Sequence, residues 1–350
     1  MLVAYVTGHG YGHLVRLCEV LRQVRARAPG LALTLVGEVP ERLVRDELPG
    51  PVAIRRVACD AGLAQRDALH IDEEESARRC RELDARFDER VREESELLRA
   101  AGARAVLGDI PPLAFAAAAR AGVPSLALGN FSWDWIYRHL SVRQPSLAGS
   151  AARAAAAYAE AGLLLALPFA GDLSSFPRRV EVGLVARRPR LAREEARRLL
   201  GLDGRPAVLL SFGGLGLPGL SRSLLSRERD LAFLLPEDAG GERLAALGLA
   251  YPDLVQAADV VVTKPGYGIV SDAIAAGTRL VYTERGDFPE YEVMVRELPA
   301  WLACAHVSNA ELFAGRLAGP VERVLSLPMP PRPDLDGAAR AAEQVLAAIG

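Results

Sequence analysis

Short apolar runs and amphipathic stretches alternate along this chain. Residues 2–6, 31–36, 52–57, 105–108, 125–128 and 162–167 are strand-length runs, apolar enough to predict strands buried on both faces. Between them, Leu14, Leu17, Val20, Leu21 and Val24 recur at helical spacing, residues 113–121 and 151–161 are helical, and a long charged helix covers 73–101. Residues 59–72 form a polar loop. The stretch 168–190 is rich in Pro and Gly and reads as a linker, with a short strand at 180–185. Then the alternation restarts. Strands are expected at 207–212, 231–235, 260–263 and 279–282, and helices at 192–200 and 253–258. A Pro-rich piece, 327–333, gives a stiff lead-in to a final helix at 336–349. Such alternation implies parallel sheets covered by helices. The expected fold is α/β, with two tandem doubly wound (Rossmann-like) domains, 1–170 and 171–335, facing a cleft. The helix 336–350 is expected to pack back on the first domain.

The length of 350 residues suits two hydrophobic cores, and 50% hydrophobic with 25% charged residues is an ordinary globular composition. The net charge of −2, with arginines interspersed among Glu and Asp, gives no nucleic-acid signal. Cys18, Cys59, Cys80 and Cys304 are scattered without a C-x-x-C pair, which predicts no metal site and fits a reducing cytoplasm. The first residues lack the basic start and apolar length of a signal peptide. Arg153 and Glu160 interrupt the Ala-rich segment before it reaches the ~20 residues of a membrane span, so no stable membrane insertion is expected. The sequence is silent on oligomeric state.

Candidate chemistry gathers where strands run into glycines. Residues 260–277 read V-V-V-T-K-P-G-Y-G-I-V-S-D-A-I-A-A-G: a β-branched strand, a turn with Gly266 and Gly268, then a helix that Gly277 can end. A strand, glycine turn and helix start present backbone N–H groups to an anion, and a nucleotide phosphate is the natural guest. Of the 42 basic residues, Lys264 is the single lysine. A lysine kept at that turn suggests that a compact ammonium is needed where an arginine fork does not fit, and predicts a phosphate ligand; the alternative is chance survival at an exposed loop. Asp272, inside the following helix, can bridge the hydroxyls of a ribose, and Glu290 on the next loop can read sugar hydroxyls; the bland alternatives are a helix-dipole partner and a solvated surface. S-F-G-G-L-G, with Gly213 and Gly214, is a second strand-to-glycine turn.

In the first half, the loop T-G-H-G-Y-G-H carries Gly8, His9, Gly12 and His13, and the glycines let backbone approach a ligand. His13 opens the helix, where a histidine can act as general base, and Asp109 at a strand end can orient it. Against this stands a tight turn with a capping histidine. Gln65 and Asp67 in the polar loop offer hydrogen bonds to sugar hydroxyls, or form an ordinary surface loop. Asn130, Trp133 and Asp134 follow another strand end, where aromatic rings suit the C–H face of a sugar; the alternative is that Trp133 and Trp135 are core aromatics.

Together Y-V-T-G-H-G-Y-G-H, D-A-G-L-A-Q-R-D-A-L, N-F-S-W-D-W-I-Y, S-F-G-G and K-P-G-Y-G-I-V-S-D-A resemble the glycosyltransferase-like N-terminal half of plant-type L-arabinokinases. The 263–277 segment also resembles the donor site of two-domain inverting glycosyltransferases of the GT-B fold. The resemblance implies a diphosphate on the helix after Lys264, a ribose on Asp272 and His13 in the acceptor-side loop. The chain carries Asp272 where the pattern usually has the longer Glu. No Walker P-loop occurs and too little chain remains for a kinase fold, so a stand-alone transferase-like half is expected. The expected activity is metal-independent transfer of a sugar from a nucleoside-diphosphate donor, UDP-linked, to a small-molecule or glycan acceptor, with no cofactor. A non-catalytic nucleotide-sugar-binding module, and a nucleotide-sugar isomerase or hydrolase, remain alternatives.

Overall fold

The computed structural model describes residues 1–213, 217, 220, 222–225, 227–235 and 240–350. The chain divides into two units. One comprises Met1–Ala64, Ile71–Val185 and Asp334–Gly350, the other Gln65–His70 and Ala186–Pro333.

In the first unit the order is β1 (Leu2–Val6), α1 (Tyr11–Arg27), β2 (Leu33–Val36), α2 (Glu41–Glu47) and β3 (Ala53–Arg55). The short β4 (Ala64–Gln65) and β5 (Ile71–Asp72) mark where the chain leaves and re-enters this unit. Then come α3 (Glu73–Ala85), α4 (Phe87–Ala100), β6 (Ala105–Asp109), α5 (Pro112–Ala121), β7 (Ser125–Gly129), α6 (Trp133–Leu140), α7 (Leu147–Ala159), β8 (Leu163–Ala166) and β9 (Arg179–Glu181). The parallel sheet runs β3-β2-β1-β6-β7-β8-β9. β1 and β6 are buried at every position, as strands covered on both faces must be. Strand order reverses between them, and such a switch point opens a crevice at the carboxyl ends of the strands. Register pairs Val6 with Asp109, so the loop carrying His13 begins beside that carboxylate.

Three expectations need correction here. The charged helix is two helices broken at Arg86, because α3 packs on α7 while α4 packs on α5. The stretch 168–190 is not a linker: Leu173, Phe176, Val182 and Leu184 are buried, and Phe176 packs on Tyr158 at 4.7 Å between ring centroids. Its prolines and glycines mark turns within a core. Because β9 pairs with β8, the units divide after Val185 rather than at residue 170.

The final helix, α16 (Gly337–Ile349), belongs to the first unit and lies along α1. Arg340 Nε donates to the Val182 carbonyl at 2.7 Å. A Cβ at Gly337 would stand 2.3 Å from the Leu184 carbonyl oxygen, so only glycine lets this helix approach so closely. Gly337→Ala is expected to cost about 1–3 kcal/mol of stability through overpacking. Chemical denaturation reads this as a lower midpoint, and an unchanged midpoint would show that the first turn of α16 is loosely docked.

The second unit contains α8 (Arg193–Leu199), β10 (Ala207–Ser211), α9 (Arg222–Leu225), β11 (Ala232–Leu234), α10 (Gly241–Ala246) and α11 (Tyr251–Ala257). β12 (Val260–Thr263), α12 (Tyr267–Ala276), β13 (Arg279–Tyr282), α13 (Pro289–Glu297), a 3-10 turn, β14 (Cys304–His306), α14 (Asn309–Phe313) and α15 (Ala318–Ser326) follow. Its parallel sheet runs β11-β10-β12-β13-β14, with the switch point between β10 and β12. Val208, Leu210, Val260, Val262 and Val281 form the core, and Ala68 from the excursion 65–70 is buried among them. That burial explains why six residues from the first half of the sequence belong to this unit.

Candidate active site

The first unit places His13 in the opening turn of α1, which follows β1, and Asp109 at the end of β6; β1 and β6 are the two strands that flank its switch point. His13 Nδ1 lies 2.7 Å from Asp109 Oδ1. Arg16, one turn further along α1, donates from Nε to Asp109 Oδ2 at 2.6 Å and from Nη2 to Oδ1 at 2.7 Å. Burial opposes ionisation of Asp109, but the Arg16 guanidinium and His13 outweigh it and hold its pKa below the ordinary carboxylate value. An ionised carboxylate only accepts, so His13 Nδ1 carries the proton and Nε2 keeps a lone pair. Asn130, fully buried, accepts from Arg16 Nη1 at 2.7 Å and donates to the Phe169 carbonyl. These four side chains form one buried polar cluster, with His13 the group able to take a proton.

A second set of contacts frames the loop. Asp60 accepts from Thr7 Oγ1 and from Trp133 Nε1, both at 2.8 Å, tying the end of β1 to the start of α6. His9 Nδ1 accepts from the Leu63 N–H, and the imidazole meets Trp133 edge-on at 5.3 Å. Gly62 has φ +54 and a Cβ there would stand 3.1 Å from His9 Cβ, so glycine suits both the conformation and the approach. Trp133 is fully buried, which corrects the reading of it as a sugar platform: its ring is core and its N–H positions Asp60.

Burial pushes the Asp60 pKa up from 3.8 to about 6, against the bonds from Thr7 and Trp133, and the Asp109 charge adds to the rise. A raised acid pKa means that the native state holds a proton the unfolded chain has lost. Stability from this group is therefore present below pH 3.8 and falls as pH rises to about 6. Asp60→Asn can keep both contacts, its Oδ1 accepting from Trp133 and its amide donating to Thr7. The variant is expected to lose this slope, so its stability relative to wild type improves between pH 4 and pH 7 in denaturant titrations. Parallel pH profiles would sink the assignment.

In the second unit both glycine turns follow the strands that flank its switch point. Register pairs Ser211 with Thr263, and Gly213 takes φ +74, while Gly214 lies outside the described residues. Gly266 caps α12, Gly268 lies in its first turn, that turn has no acidic residue, and a Cβ on Gly266 would meet nothing within 4 Å. Lys264 donates from Nζ to the Ala68 carbonyl. Burial, then the Arg285 charge, lower its pKa to about 8 against the pull of Asp67 and Glu290. Asp272 is buried and paired with Arg187, whose guanidinium lies over the Tyr251 ring at 5.3 Å. Tyr251 OH meets Ser211 Oγ at 2.6 Å, so one chain of contacts runs from β10 to α12. Glu290, in the first turn of α13, is buried and receives Arg285 Nη1 at 3.2 Å, which removes the solvated-surface reading.

Gln65 and Asp67, expected on the acceptor side, belong instead to the second unit, because Ala68 anchors their segment in its core. Asp67 accepts the Leu69 and His70 N–H groups and closes that turn. Asp134 is buried in α6 and accepts from Arg138 and Ser175. Gly8 is exposed near Glu38, and Gly12 lies in the first turn of α1. Sequence reading missed Arg16, Asp60, Arg187 and Arg285. Arg16 left a signal, being three residues from His13 within the apolar run L-V-R-L-C, where a charge must find a buried partner. Among the described residues, no three His, Cys, Asp or Glu side chains are grouped to hold a metal, and no helix is long and apolar enough to cross a membrane.

No family model matches the chain. In an alignment 341 positions long that covers 92% of the chain, it is 31% identical to L-arabinokinase of Arabidopsis thaliana, and it spans 32% of that protein. Arabidopsis thaliana UGT89C1, solved in complex with UDP, aligns with a TM-score of 0.59 at 14% identity, covering 99% of both chains. A UDP-glucosyltransferase from Polygonum tinctorium aligns with a TM-score of 0.58 at 15% identity, covering 99% of this chain and 98% of the other. The chain is thus homologous to part of L-arabinokinase, and its fold is that of the GT-B glycosyltransferases.

Proposed function

We propose that this protein transfers a sugar from a nucleoside-diphosphate sugar, UDP-linked, to the hydroxyl of a small-molecule or glycan acceptor, with inversion at the anomeric carbon. The observation that carries this reading is the His13–Asp109 contact of 2.7 Å, which leaves an imidazole lone pair beside a switch-point crevice. His13 takes the proton of the acceptor hydroxyl. That oxygen bonds to the anomeric carbon as the bond to the diphosphate breaks, and the electron pair leaves with the phosphate oxygen. Lys264, the N–H groups after Gly266 and the α12 dipole offset the charge of the leaving group, the task a metal ion performs elsewhere. Asp272 and Glu290 are assigned to ribose and sugar hydroxyls. UDP in a protein of the same fold supports the choice of nucleotide.

One observation favours a second reading, a nucleotide-sugar-binding module without turnover. Arg16 occupies both oxygens of Asp109, so less of that carboxylate's charge is left to stabilise an imidazolium on His13. The two readings separate when a panel of UDP-sugars is incubated with and without acceptors. Acceptor-dependent release of UDP supports transfer, binding without release supports the module, and release without acceptor points to a hydrolase. The name of the homologous protein makes L-arabinose the first sugar to include.

A further inference from the structure

Arg285 has no part in the mechanism above, yet it reaches the same turn as Lys264. It follows β13, and its Nη1 lies 3.4 Å from the Pro265 carbonyl oxygen and 3.2 Å from Glu290 Oε2. Its guanidinium carbon stands 4.1 Å from the centroid of the Phe288 ring. The side chain is 11% exposed. Ring face and carboxylate together fix the orientation of the fork. Two cations brought to one poorly solvated turn repel each other, a cost set against the ion pair with Glu290 and the contact with the Pro265 carbonyl. The Arg285 charge does act on Lys264, making its ammonium easier to deprotonate. Asp67 and Glu290 act in the opposite sense, but Asp67 is already engaged by His70 and two backbone N–H groups, and Glu290 is paired with Arg285 itself. A phosphate at the turn would offer oxygens to both cations and remove the conflict.

We propose that Arg285 is a second cationic ligand of the terminal phosphate of the nucleoside diphosphate, and stabilises that phosphate as it leaves the sugar. This rests on the reading of the second unit as a nucleoside-diphosphate site. When the anomeric C–O bond breaks, its electron pair stays on the terminal phosphate oxygen. Arg285 and Lys264 together face that added charge.

Because Lys264 is the single lysine, lysine-selective isotope labelling isolates one side-chain signal that reports the turn directly. In the wild-type chain this signal should titrate near pH 8 and move upward when UDP is added. Arg285→Gln, which leaves Lys264 the single lysine, should raise the midpoint in the free protein, though burial keeps it below 10.5. In calorimetric titrations, Arg285→Gln should weaken UDP at least tenfold and UMP, which lacks the terminal phosphate, less than threefold. Arg285→Lys, which keeps the charge and loses the fork, should show the same split at smaller amplitude, and it carries the comparison if the glutamine variant does not fold. Equal weakening of UDP and UMP would assign Arg285 to bracing the loop and overturn the proposal. Unchanged UDP affinity would also overturn it, leaving the proposed function standing. If wild type binds neither UDP nor pyrophosphate, the proposed function fails and the role of Arg285 with it.

Discussion

A His13→Ala variant is expected to lose sugar transfer by about a hundred- to ten-thousandfold, the usual contribution of a positioned general base, while binding UDP nearly as well as wild type. The separation follows from where the groups lie. His13 belongs to the first unit, whereas Lys264, Gly266, Asp272 and Glu290 belong to the second. The imidazole cannot rotate away, because Asp109 accepts from Nδ1 at 2.7 Å and Arg16 fixes both oxygens of that carboxylate. Deleting the ring removes the lone pair and leaves Asp109 paired with Arg16, so no buried charge is orphaned and folding should survive. The check is a pair of measurements on one preparation, UDP release with acceptor and UDP affinity by calorimetry. A variant that keeps its rate shows that His13 is not the base. One that loses UDP affinity instead shows that the histidine serves the nucleotide.

The second large effect concerns Lys264. Hydrogen bonds to charged groups contribute roughly 1.5–3 kcal/mol, so Lys264→Ala should weaken UDP about ten- to a hundredfold. Lys264→Arg should recover only part, since a planar fork needs more room beside Pro265 than a point charge does. Affinity should also depend on pH with a definite sign. The ammonium deprotonates near pH 8 in the free protein, and only its charged form attracts phosphate, so binding weakens as pH rises through 8 and takes up protons there. Stability moves the other way. With the folded pKa below 10.5, the native state binds fewer protons than the unfolded chain between about pH 8 and 10.5, and stability rises with pH across that window. Calorimetry in buffers of different ionisation heat reads the proton uptake directly. Should alanine and arginine variants bind UDP as tightly as wild type, the lone lysine is an accident of composition.

Sequence by itself determined the class of the fold and the turns where chemistry gathers. Buried parallel strands such as L-V-A-Y-V and V-V-V-T need uninterrupted apolar runs, and strand–glycine–helix junctions need their glycines, so both are written locally. His13 and Lys264 could be singled out as candidates for the same reason, each belonging to a strand–glycine–helix junction, Lys264 just past its strand and His13 in the first turn of its helix. Residues 168–190 were misread because prolines and glycines obscured a pattern that packs Phe176 and Val182 into the first core. The break at Arg86 has no proline or glycine to announce it; it arises because the two halves of the charged stretch pack on different helices.

Only tertiary structure decided the partners. That Arg16 grips Asp109 across 93 positions, that Arg187 meets Asp272 across 85, and that Ala68 carries Gln65 and Asp67 into the second unit follow from packing over long separations. A buried charge must be paired, but no rule of spacing says with what. Trp133 shows the same limit: its position past β7 suited a sugar platform as well as a core ring, and only its burial, with the N–H on Asp60, decided for the core. Local patterns are set by φ/ψ preferences and by the period of apolar side chains. Pairings between distant side chains are set by which faces the folded layers bring together, and that information lies in the packing of the whole chain.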